Sequence, residues 1–273
     1  MATGMDPISR GRLHDPTVPA PQLFRYAPAP QYAHLIRHFW VPVWSFPAGV
    51  QSHQRVLQYP STLLVIAPDY AIAKGPEPEL SHKVLRGSSW AFGVLFQAAA
   101  GYRLHGAGLP ALVGNEAPLI DALPELGEAV RSVRAEMAAA PSSSEVHRRC
   151  MAIVSEGLAP WCAPLDEEDS LINLITDHVE QTPTLTRVDK LAAAVGLDER
   201  SLQRLTRKRL GLSPKWLIQR RRLQEAGVRL AVGGCSVGQL ATELGYADQA
   251  HFTRDFSRVT GLTPGEYVKL NAP

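Results

Sequence analysis

The chain has 273 residues, 45% of them hydrophobic, and a formal net charge of +2. This length is typical of two domains, and the hydrophobic content excludes wholesale disorder. No apolar run reaches the roughly 18 residues of a membrane-spanning helix, so we expect no membrane partner.

The amino-terminal segment, MATGMDPISRGRLHDPTVPAPQ, lacks the apolar core of a signal peptide. We therefore expect residues 1–22 to form a flexible tail. The same absence predicts that the chain stays in the cytoplasm.

Residues 23–160 are predicted to form a strand-rich domain that ends in a helical hairpin. Up to about residue 120, short apolar runs such as RVLQYPSTLLVIA and SWAFGVLFQAA are bounded by Pro, Gly and Ser. QYAHLIRHFWVPVW is expected to begin as a helical turn and continue as a strand. Helical spacing in PELGEAVRSVRAEM and SSEVHRRCMAIVSEGL, with AAAPSSS between them, predicts an antiparallel hairpin. The amphipathicity of residues 124–158 also suggests dimerisation.

This domain is rich in histidine and aromatic residues. His34 and His38 would lie one turn apart if residues 31–40 were helical, which suits a metal ion. No HxH pair or nearby acid completes such a site, and scattered surface or core histidines are the alternative; we assign no metal. The large aromatic residues either line a ligand cavity or belong to the core; they are Trp40, Trp44, Trp90, Tyr59 and Tyr102. The sequence does not identify ligand-binding residues.

An acidic stretch with two prolines, APWCAPLDEED, separates this domain from a basic helical one. We place the linker at residues 161–169 and the second domain at residues 170–273. From Gln181 onward there are 15 Lys and Arg against 8 Asp and Glu, whereas the preceding residues hold 13 against 18. A polyanion-binding domain needs such a balance, although a solvated basic surface would show it too.

Two stretches of the second domain repeat each other: LAAAVGLDERSLQRLTRKRLGLSPKWL and LATELGYADQAHFTRDFSRVTGLTPGEYV. In each, a small alanine lies four residues before a glycine, Ala192 before Gly196 and Ala241 before Gly245. Small residues let two helices pack closely, and glycine tolerates the positive φ of a tight turn. Each repeat is therefore predicted to be a helix-turn-helix unit.

Boundary signals agree with two such units. Capping boxes are predicted for Ser236 with Gln239 and for Thr263 with Glu266. Phe252 and Phe256 are expected to anchor the second helix of the second unit. We call the second helix of each unit its reading helix.

Between the units, PKWLIQRRRLQEAGVRLAV predicts a helix that ends at Gly233-Gly234 and spans about 27 Å. Successive major-groove faces lie about 34 Å apart, so one chain can place two reading helices on one side of a duplex.

The face of each second helix opposite its anchors carries side chains that suit a major groove. The predicted base-contacting residues are Arg200, Gln203, Arg204 and Arg207 in the first unit, and Gln249, Ala250, His251 and Arg254 in the second. Arg and Gln bond guanine and adenine in a bidentate way, and Ala250 can touch a thymine methyl. Phosphate contacts are predicted for Lys208, Arg209 and Lys215. The alternative is that these charges only solvate the helices, and part of the run Arg220–Arg222 is expected to pair with acids.

The last 105 or so residues resemble the AraC-type DNA-binding domain, which has two helix-turn-helix units joined by a long helix. The matching segments are SLQRLTRKRLGLSPKWLIQRRRLQEA and LATELGYADQAHFTRDFSRVTGLTPGEY. The second fits the family signature of Gly-aromatic, His-Phe-x-Arg-x-Phe and Gly-x-Thr-Pro-x-x-Tyr. Thr206 departs from it, since the family usually carries Phe there. The first unit is then either anchored less firmly or anchored by Leu205 and Trp216.

The resemblance implies a transcription regulator whose N-terminal domain, often a small cupin-like β-barrel followed by a helical pair, binds an effector or dimerises. The predicted fold class is thus α+β, with a strand-rich domain ending in a helical hairpin and an all-α double helix-turn-helix domain. A double-stranded DNA operator, a small-molecule effector, a second copy of the chain and RNA polymerase are the partners implied. No cofactor is implied.

Two other hypotheses about the function remain open. One is an enzyme with its active site in the N-terminal β-domain and an accessory helical part that binds DNA. The sequence lacks G-x-S-x-G, H-E-x-x-H, GxxxxGK and Cys-x-x-Cys, so we assign no catalytic residue. The odd, widely spaced Cys150, Cys162 and Cys235 predict reduced structural thiols. The other reading is a DNA-binding protein without a ligand, whose N-terminal domain only dimerises.

Overall fold

The computed structural model describes residues 11–13 and 15–271, which form a strand-rich N-terminal domain followed by a helical part. This arrangement confirms the α+β fold class. The strands of the described residues are β1 Arg12–Leu13, β2 Gln22–Tyr26, β3 Ile36–Ser45, β4 Gln51–Val56, β5 Leu63–Ile66, β6 Ala71–Lys74, β7 Ser81–Arg86, β8 Ser88–Trp90, β9 Phe92–Phe96 and β10 Glu116–Pro118.

The strands form two antiparallel sheets. The smaller has the order β1-β4-β7, and the larger has the order β10-β6-β5-β9-β3-β2, with β8 also pairing with β3. Strands β5 and β9 lie at the centre of the larger sheet and are buried at every position. Their sequences, LLVI and FGVLF, are continuous apolar runs because both of their faces are covered. The strands predicted from these runs are confirmed.

Part of the predicted flexible tail belongs to the smaller sheet. Strand β1 pairs with β4, so that Arg12 lies opposite Val56 and Leu13 opposite Arg55. Leu13 is only 5% exposed. The expectation of a free tail over residues 1–22 is therefore wrong for this segment, because a partner strand some forty residues away and a buried leucine hold it. Residues 1–10 and 14 lie outside the described residues.

The segment around the first histidines is a turn followed by a strand, as predicted. A 3₁₀ turn covers Pro30–Tyr32 and β3 begins at Ile36. Residues 31–40 are thus not one helix, and the one-turn spacing of His34 and His38 that suited a metal ion does not exist.

Three short helices interrupt the region that was expected to be strand-rich up to residue 120. They are α1 Ala100–His105, α2 Leu109–Leu112 and α3 Leu119–Ala122. Segments of four to six residues are too short for helical periodicity to show in the sequence.

The predicted helical hairpin is confirmed as α4 Gly127–Ala139 and α5 Ser144–Gly157. The Ser143 side chain caps α5 by accepting a hydrogen bond from the Val146 amide. The apolar faces of both helices pack into a core shared with β3, β5 and β9. The amphipathic pattern that suggested dimerisation is therefore explained by burial within the chain's own core.

Cys150 lies in that core, and burial raises the pKa of its thiol to about 12. Burial also raises the pKa of Cys162. Because the thiolate is the reactive form, a raised pKa lowers the reactivity of both thiols at neutral pH. All three cysteines are free thiols.

The helical part begins at residue 167, three residues earlier than the predicted domain boundary. Asp166 and Asp169 form a capping box there, so the acidic run of the expected linker starts a helix instead. The helices are α6 Glu167–Gln181, α7 Val188–Ala194, α8 Glu199–Leu210, α9 Pro214–Val232, α10 Val237–Glu243, α11 Gln249–Thr260 and α12 Pro264–Asn271. Within the described ranges, no helix is both long enough and apolar enough to cross a bilayer.

The two parts of the chain share apolar cores. One cluster joins residues of β5 and β9 to α6, α7, α8 and α9, and another joins Leu13 and Leu57 to α9, α10 and α11. Polar contacts reinforce them. The Trp216 indole N–H donates to the Pro78 carbonyl at 3.0 Å, and Arg220 donates from Nη2 to the carbonyls of Glu77, Pro78 and Glu79. The helical part is therefore docked on the sheets along α9.

Candidate nucleic-acid interface

The first helix-turn-helix unit consists of α7 and α8. Gly196 has a φ of 70°, as the turn requires, and the Leu197 amide donates to the Ala192 carbonyl at 2.9 Å. Asp198 caps α8 by accepting from the Ser201 amide at 2.9 Å. Leu202 is fully buried and holds α8 against its neighbours.

The second unit, α10 and α11, repeats this geometry. Gly245 has a φ of 75°, and the Tyr246 amide donates to the Ala241 carbonyl at 2.9 Å. A Cβ at Gly245 would lie 2.5 Å from Thr186 Cγ2, so the position requires glycine for space as well as conformation. Both predicted turns and the two capping boxes, Ser236 with Gln239 and Thr263 with Glu266, are confirmed.

The anchors of α11 are those expected from the sequence. Phe252 and Phe256 are fully buried, with ring centroids 5.7 Å apart, and Phe256 also contacts the Tyr267 ring. In α8, Thr206 replaces the second aromatic residue. It is completely buried, and its hydroxyl donates to the Leu202 carbonyl at 3.0 Å. The first unit therefore has a leucine core, with Leu205 buried and Trp216 half-buried.

All eight predicted base-contacting side chains lie on the exposed face of α8 or α11. They are Arg200, Gln203, Arg204 and Arg207, and Gln249, Ala250, His251 and Arg254. Arg204 and Arg254 occupy equivalent places in the two repeats. Both α8 and α11 begin with an aspartate cap, and Asp248, the cap of α11, accepts from the His251 amide at 2.7 Å. The preference of aspartate for the position before a helix is the signal that identifies it.

The structure removes Arg209 from the predicted phosphate-contacting set, whereas Lys208 is exposed and forms a surface ion pair. Arg209 is 6% exposed, and its guanidinium binds the carboxylates of Asp166, Glu168 and Asp169 at 2.7 to 2.9 Å. Lys208 donates to Glu168 at 2.6 Å. Both side chains form ion pairs with acidic residues at the start of α6. Lys215, at the start of α9, is exposed.

Asp169 connects this cluster to the N-terminal domain. It is 1% exposed, and its two oxygens bind Arg209 at 2.9 Å and Arg103 of α1 at 2.6 Å. The Arg209 guanidinium also lies 4.6 Å from the centre of the Tyr102 ring. The last turn of α8 is thus held by groups from α1 and from α6.

Acid should weaken this cluster. The hydrogen bond from the Asp169 amide lowers the pKa of Asp166, and hydrogen bonds from Lys208 and Arg209 lower the pKa of Glu168. A lowered native pKa gives stability that is present above the unfolded value, about 4, and is lost as the pH falls through the native value. We expect the melting temperature to fall below about pH 5, with a smaller fall in Glu168→Gln, as followed by circular dichroism at steps from pH 6 to 3. The exposed Glu145→Gln should keep the wild-type slope; equal slopes in all three proteins would contradict the assignment.

The arginine run Arg220–Arg222 of α9 packs against the rest of the chain. Arg220 and Arg221 are buried; Arg221 donates to the Glu180 carbonyl and to the Glu225 carboxylate at 3.0 and 2.9 Å. Burial lowers the pKa of Arg220 to about 10, so it stays charged at neutral pH. Arg222 lies 3.9 Å above the Tyr246 ring. The expectation that part of this run pairs with acids is confirmed for Arg221.

Helix α9 has the predicted bounds and connects the two units. Its 19 residues correspond to about 28 Å at 1.5 Å per residue. Its C-cap is Gly233, with a φ of 77°. A single uninterrupted helix of this length sets the separation of α8 and α11.

A partly open cavity of about 310 Å³ is lined by residues of both sheets of the N-terminal domain and by Gln224 of α9. Of the aromatic residues considered from the sequence, Trp40, Trp44 and Tyr59 line it. Trp90 belongs to the core, and Tyr102 lies under Arg209. The volume falls at the lower end of small-molecule sites. Sequence reasoning did not find the charged lining, because no local pattern shows that distant strands face one cavity.

Two helix-turn-helix units joined by a single long helix define a double helix-turn-helix DNA-binding domain. Residues 191–270 match the family model of a helix-turn-helix domain, and residues 24–118 match a domain of unknown function, DUF6597. The helical part is thus a helix-turn-helix domain, similar to those of known transcription regulators.

The chain is 28% identical over 103 residues to the HTH-type transcriptional regulator MtrA of Neisseria gonorrhoeae, covering 38% of this chain and 34% of that protein. It is 28% identical over 120 residues to the arabinose operon regulatory protein of Salmonella typhimurium, covering 44% and 41%. The chain thus spans between about a third and two fifths of the length of these curated relatives. The solved structure of ToxT from Vibrio cholerae O395 aligns with 92% of this chain and 96% of its own, with 13% identity and a TM-score of 0.39.

Proposed function

We propose that this protein is a sequence-specific DNA-binding transcription regulator that responds to a small-molecule effector. The observation that carries the proposal is the pair of equivalent reading helices, α8 and α11, each with an exposed polar face and each fixed on a buried anchor. The matches to an AraC-type domain and to named transcription regulators support it. The cavity of the N-terminal domain supports the proposal of a small-molecule effector.

In this proposal α8 and α11 enter successive major grooves on one side of the duplex. Arg200, Gln203, Arg204 and Arg207 read one half of the operator, and Gln249, Ala250, His251 and Arg254 read the other. The exposed Lys215, at the start of α9, meets a phosphate. A second copy of the chain and RNA polymerase are further proposed partners. The cytoplasm is the proposed location. Catalysis has no part in this function.

The experiment that tests the function is selection of bound sites from random duplexes. The expected result is an enriched motif with two conserved halves about one helical turn apart. Binding with no preference among duplexes at moderate ionic strength would refute the proposal, because phosphate contacts alone do not select a sequence.

Arg254→Ala should weaken binding to the selected site by about 1–3 kcal/mol, the usual loss when a bidentate base contact is removed. The loss should be much smaller for duplexes that differ at the base it reads. Gel-shift titration measures both affinities. Arg131→Ala, an exposed arginine on α4 paired with Glu128, is the matched control and should bind as the wild type does. Unchanged affinity of Arg254→Ala for the selected site would remove Arg254 from the set.

A further inference from the structure

The smaller sheet of the N-terminal domain contains no acidic residue. Its three strands have the sequences RL, QSHQRV and SHKVLR, which include three arginines, one lysine and two histidines. The part of the chain before Gln181 is acidic as a whole, with 13 Lys and Arg against 18 Asp and Glu. The excess of positive charge is therefore local to this sheet.

One face of the smaller sheet adjoins the second helix-turn-helix unit. Leu13 pairs with Arg55, and Arg55 pairs with His82, so the three residues form one row across the strands. Residues directly opposite each other in an antiparallel sheet point to the same face. Leu13 is 5% exposed and belongs to the apolar cluster of α9, α10 and α11. A Cβ at Gly227 of α9 would lie 3.2 Å from Leu13 Cδ2, so the row begins against the helices.

Four basic side chains share this face, and we call them the basic face: His53, Arg55, His82 and Arg86. Alternate residues of a strand point to one face, which places His53 with Arg55 and Arg86 with His82. His82 and Arg86 are exposed, and the other two are half-buried. The rows of Arg55 and Arg86 are four residues apart, about 14 Å at about 3.4 Å per residue. Each DNA strand carries one phosphate per about 3.4 Å of helix axis, so the basic face spans several phosphates.

The basic face is not neutralised by acids. Neither Arg55 nor Arg86 forms an ion pair with any residue that the structure describes, and Arg86 Nη2 donates to the Gln51 side-chain oxygen at 3.3 Å. His53 Nδ1 and His82 Nε2 lie 3.1 Å apart, so one N–H···N hydrogen bond aligns the two rings across the strands. Like charges that face each other across a sheet are destabilising. A bound anion relieves this repulsion, and arginine is well suited to phosphate.

We propose that the basic face contacts the phosphate backbone of DNA beside the half of the operator that α11 reads. Two observations carry the proposal: the charge of the face is complementary to the backbone, and the face is continuous, through Leu13, with the unit that contains α11. The inference rests on the proposed function, because the partner is the same duplex. Its chemistry is different, since phosphate contacts add affinity and fix the orientation of the protein without selecting a sequence.

The strands that carry the basic face also line the cavity. Gln54 and Val56 of β4 and Leu85 of β7 are among its lining residues. The N-terminal domain therefore contributes to DNA affinity through the same sheet that forms part of the proposed effector site.

The test measures the affinity of the full chain for duplex DNA as a function of salt concentration, by fluorescence anisotropy. Loss of one phosphate contact lowers the slope of log K against log salt by about 1, and we expect this for Arg55→Gln and for Arg86→Gln. Between about 50 and 200 mM salt the wild type should then lose about fourfold more affinity than either variant. Arg86→Lys, which keeps the charge, should keep the wild-type slope. Arg148→Gln, at an exposed arginine of α5, is the matched control and should also keep it.

Selection from random duplexes should give the same motif for Arg86→Gln as for the wild type, because no base contact is removed. Ethylation of backbone phosphates locates the contact. Phosphates whose ethylation inhibits the wild type but not Arg86→Gln should lie beside the half-site that α11 reads. An unchanged interference pattern, or a change beside the half-site that α8 reads, would contradict the proposal.

The two proposals fail in different ways. The salt slope can be measured on any duplex, so a protein that selects no sequence but loses slope in both arginine variants would refute the proposed function alone. Equal slopes in the wild type and in both variants, each shown by thermal melting to be folded, would refute the phosphate-contacting face alone.

Discussion

Replacing Asp169 with Ala should destabilise the protein by about 3–5 kcal/mol, the usual effect of removing one partner from a buried ion pair. Asp169 is 1% exposed and binds both Arg103 and Arg209, whose side chains are 14% and 7% exposed. Its loss leaves two guanidinium groups buried without their central partner, and it also removes half of the capping box of α6. Chemical denaturation followed by circular dichroism measures the change.

Asp189→Ala is the matched control. Asp189 is also an aspartate near a helix start and is paired with an arginine, but the side chains of Arg187 and Asp189 are 70% and 37% exposed. Exposed pairs contribute about 0–1 kcal/mol. If the two variants lose similar amounts of stability, burial of the Asp169 network is not what stabilises the junction between the two parts of the chain.

Phe252→Ala should cost about 3–5 kcal/mol of stability, because a fully buried aromatic side chain is replaced by a cavity. The Phe252 ring contacts Phe256 and Tyr246, so its removal weakens the packing of α11 against the rest of the domain. DNA protection should be lost over the half of the selected site that α11 reads. Leu202→Ala, the equivalent change in the first unit, should remove protection from the other half.

Footprinting under conditions where both variants are folded distinguishes these outcomes. Val232→Ala, at a side chain that is 79% exposed, should change stability by less than about 0.5 kcal/mol and leave the footprint intact. Full protection by folded Phe252→Ala would show that α11 does not depend on this anchor.

The double helix-turn-helix domain is predictable from sequence because its signals are local. Gly196 and Gly245 mark the turns, serine and threonine caps mark helix starts, and Gly233 marks the end of α9. The spacing of these residues determines which side chains lie on the open faces of α8 and α11. Helical periodicity was therefore enough to predict that all eight base-contacting side chains are exposed.

The features that the sequence did not predict depend on contacts between segments that are distant in the chain. Arg209 resembles its exposed neighbours in sequence, yet Asp166, more than forty residues away, receives its guanidinium. Arg12 lies in a stretch with the composition of a tail, but pairing with β4 places it in the wall of the cavity. Periodicity and capping rules do not contain this information, because it is set by how sheets and helices pack.

The contacts along α9 restrict how this protein can be recombined with its relatives. A chimera joined near residue 165 would separate Arg103 from Asp169, and would place Trp216 and Arg220 opposite a foreign loop in place of Glu77–Glu79. Grafting the loop between β6 and β7 together with the helical part keeps the contacts of Trp216 and Arg220, and grafting α1 as well keeps the contact of Arg103 with Asp169. A hybrid protein built at this boundary needs all of these segments from the same parent.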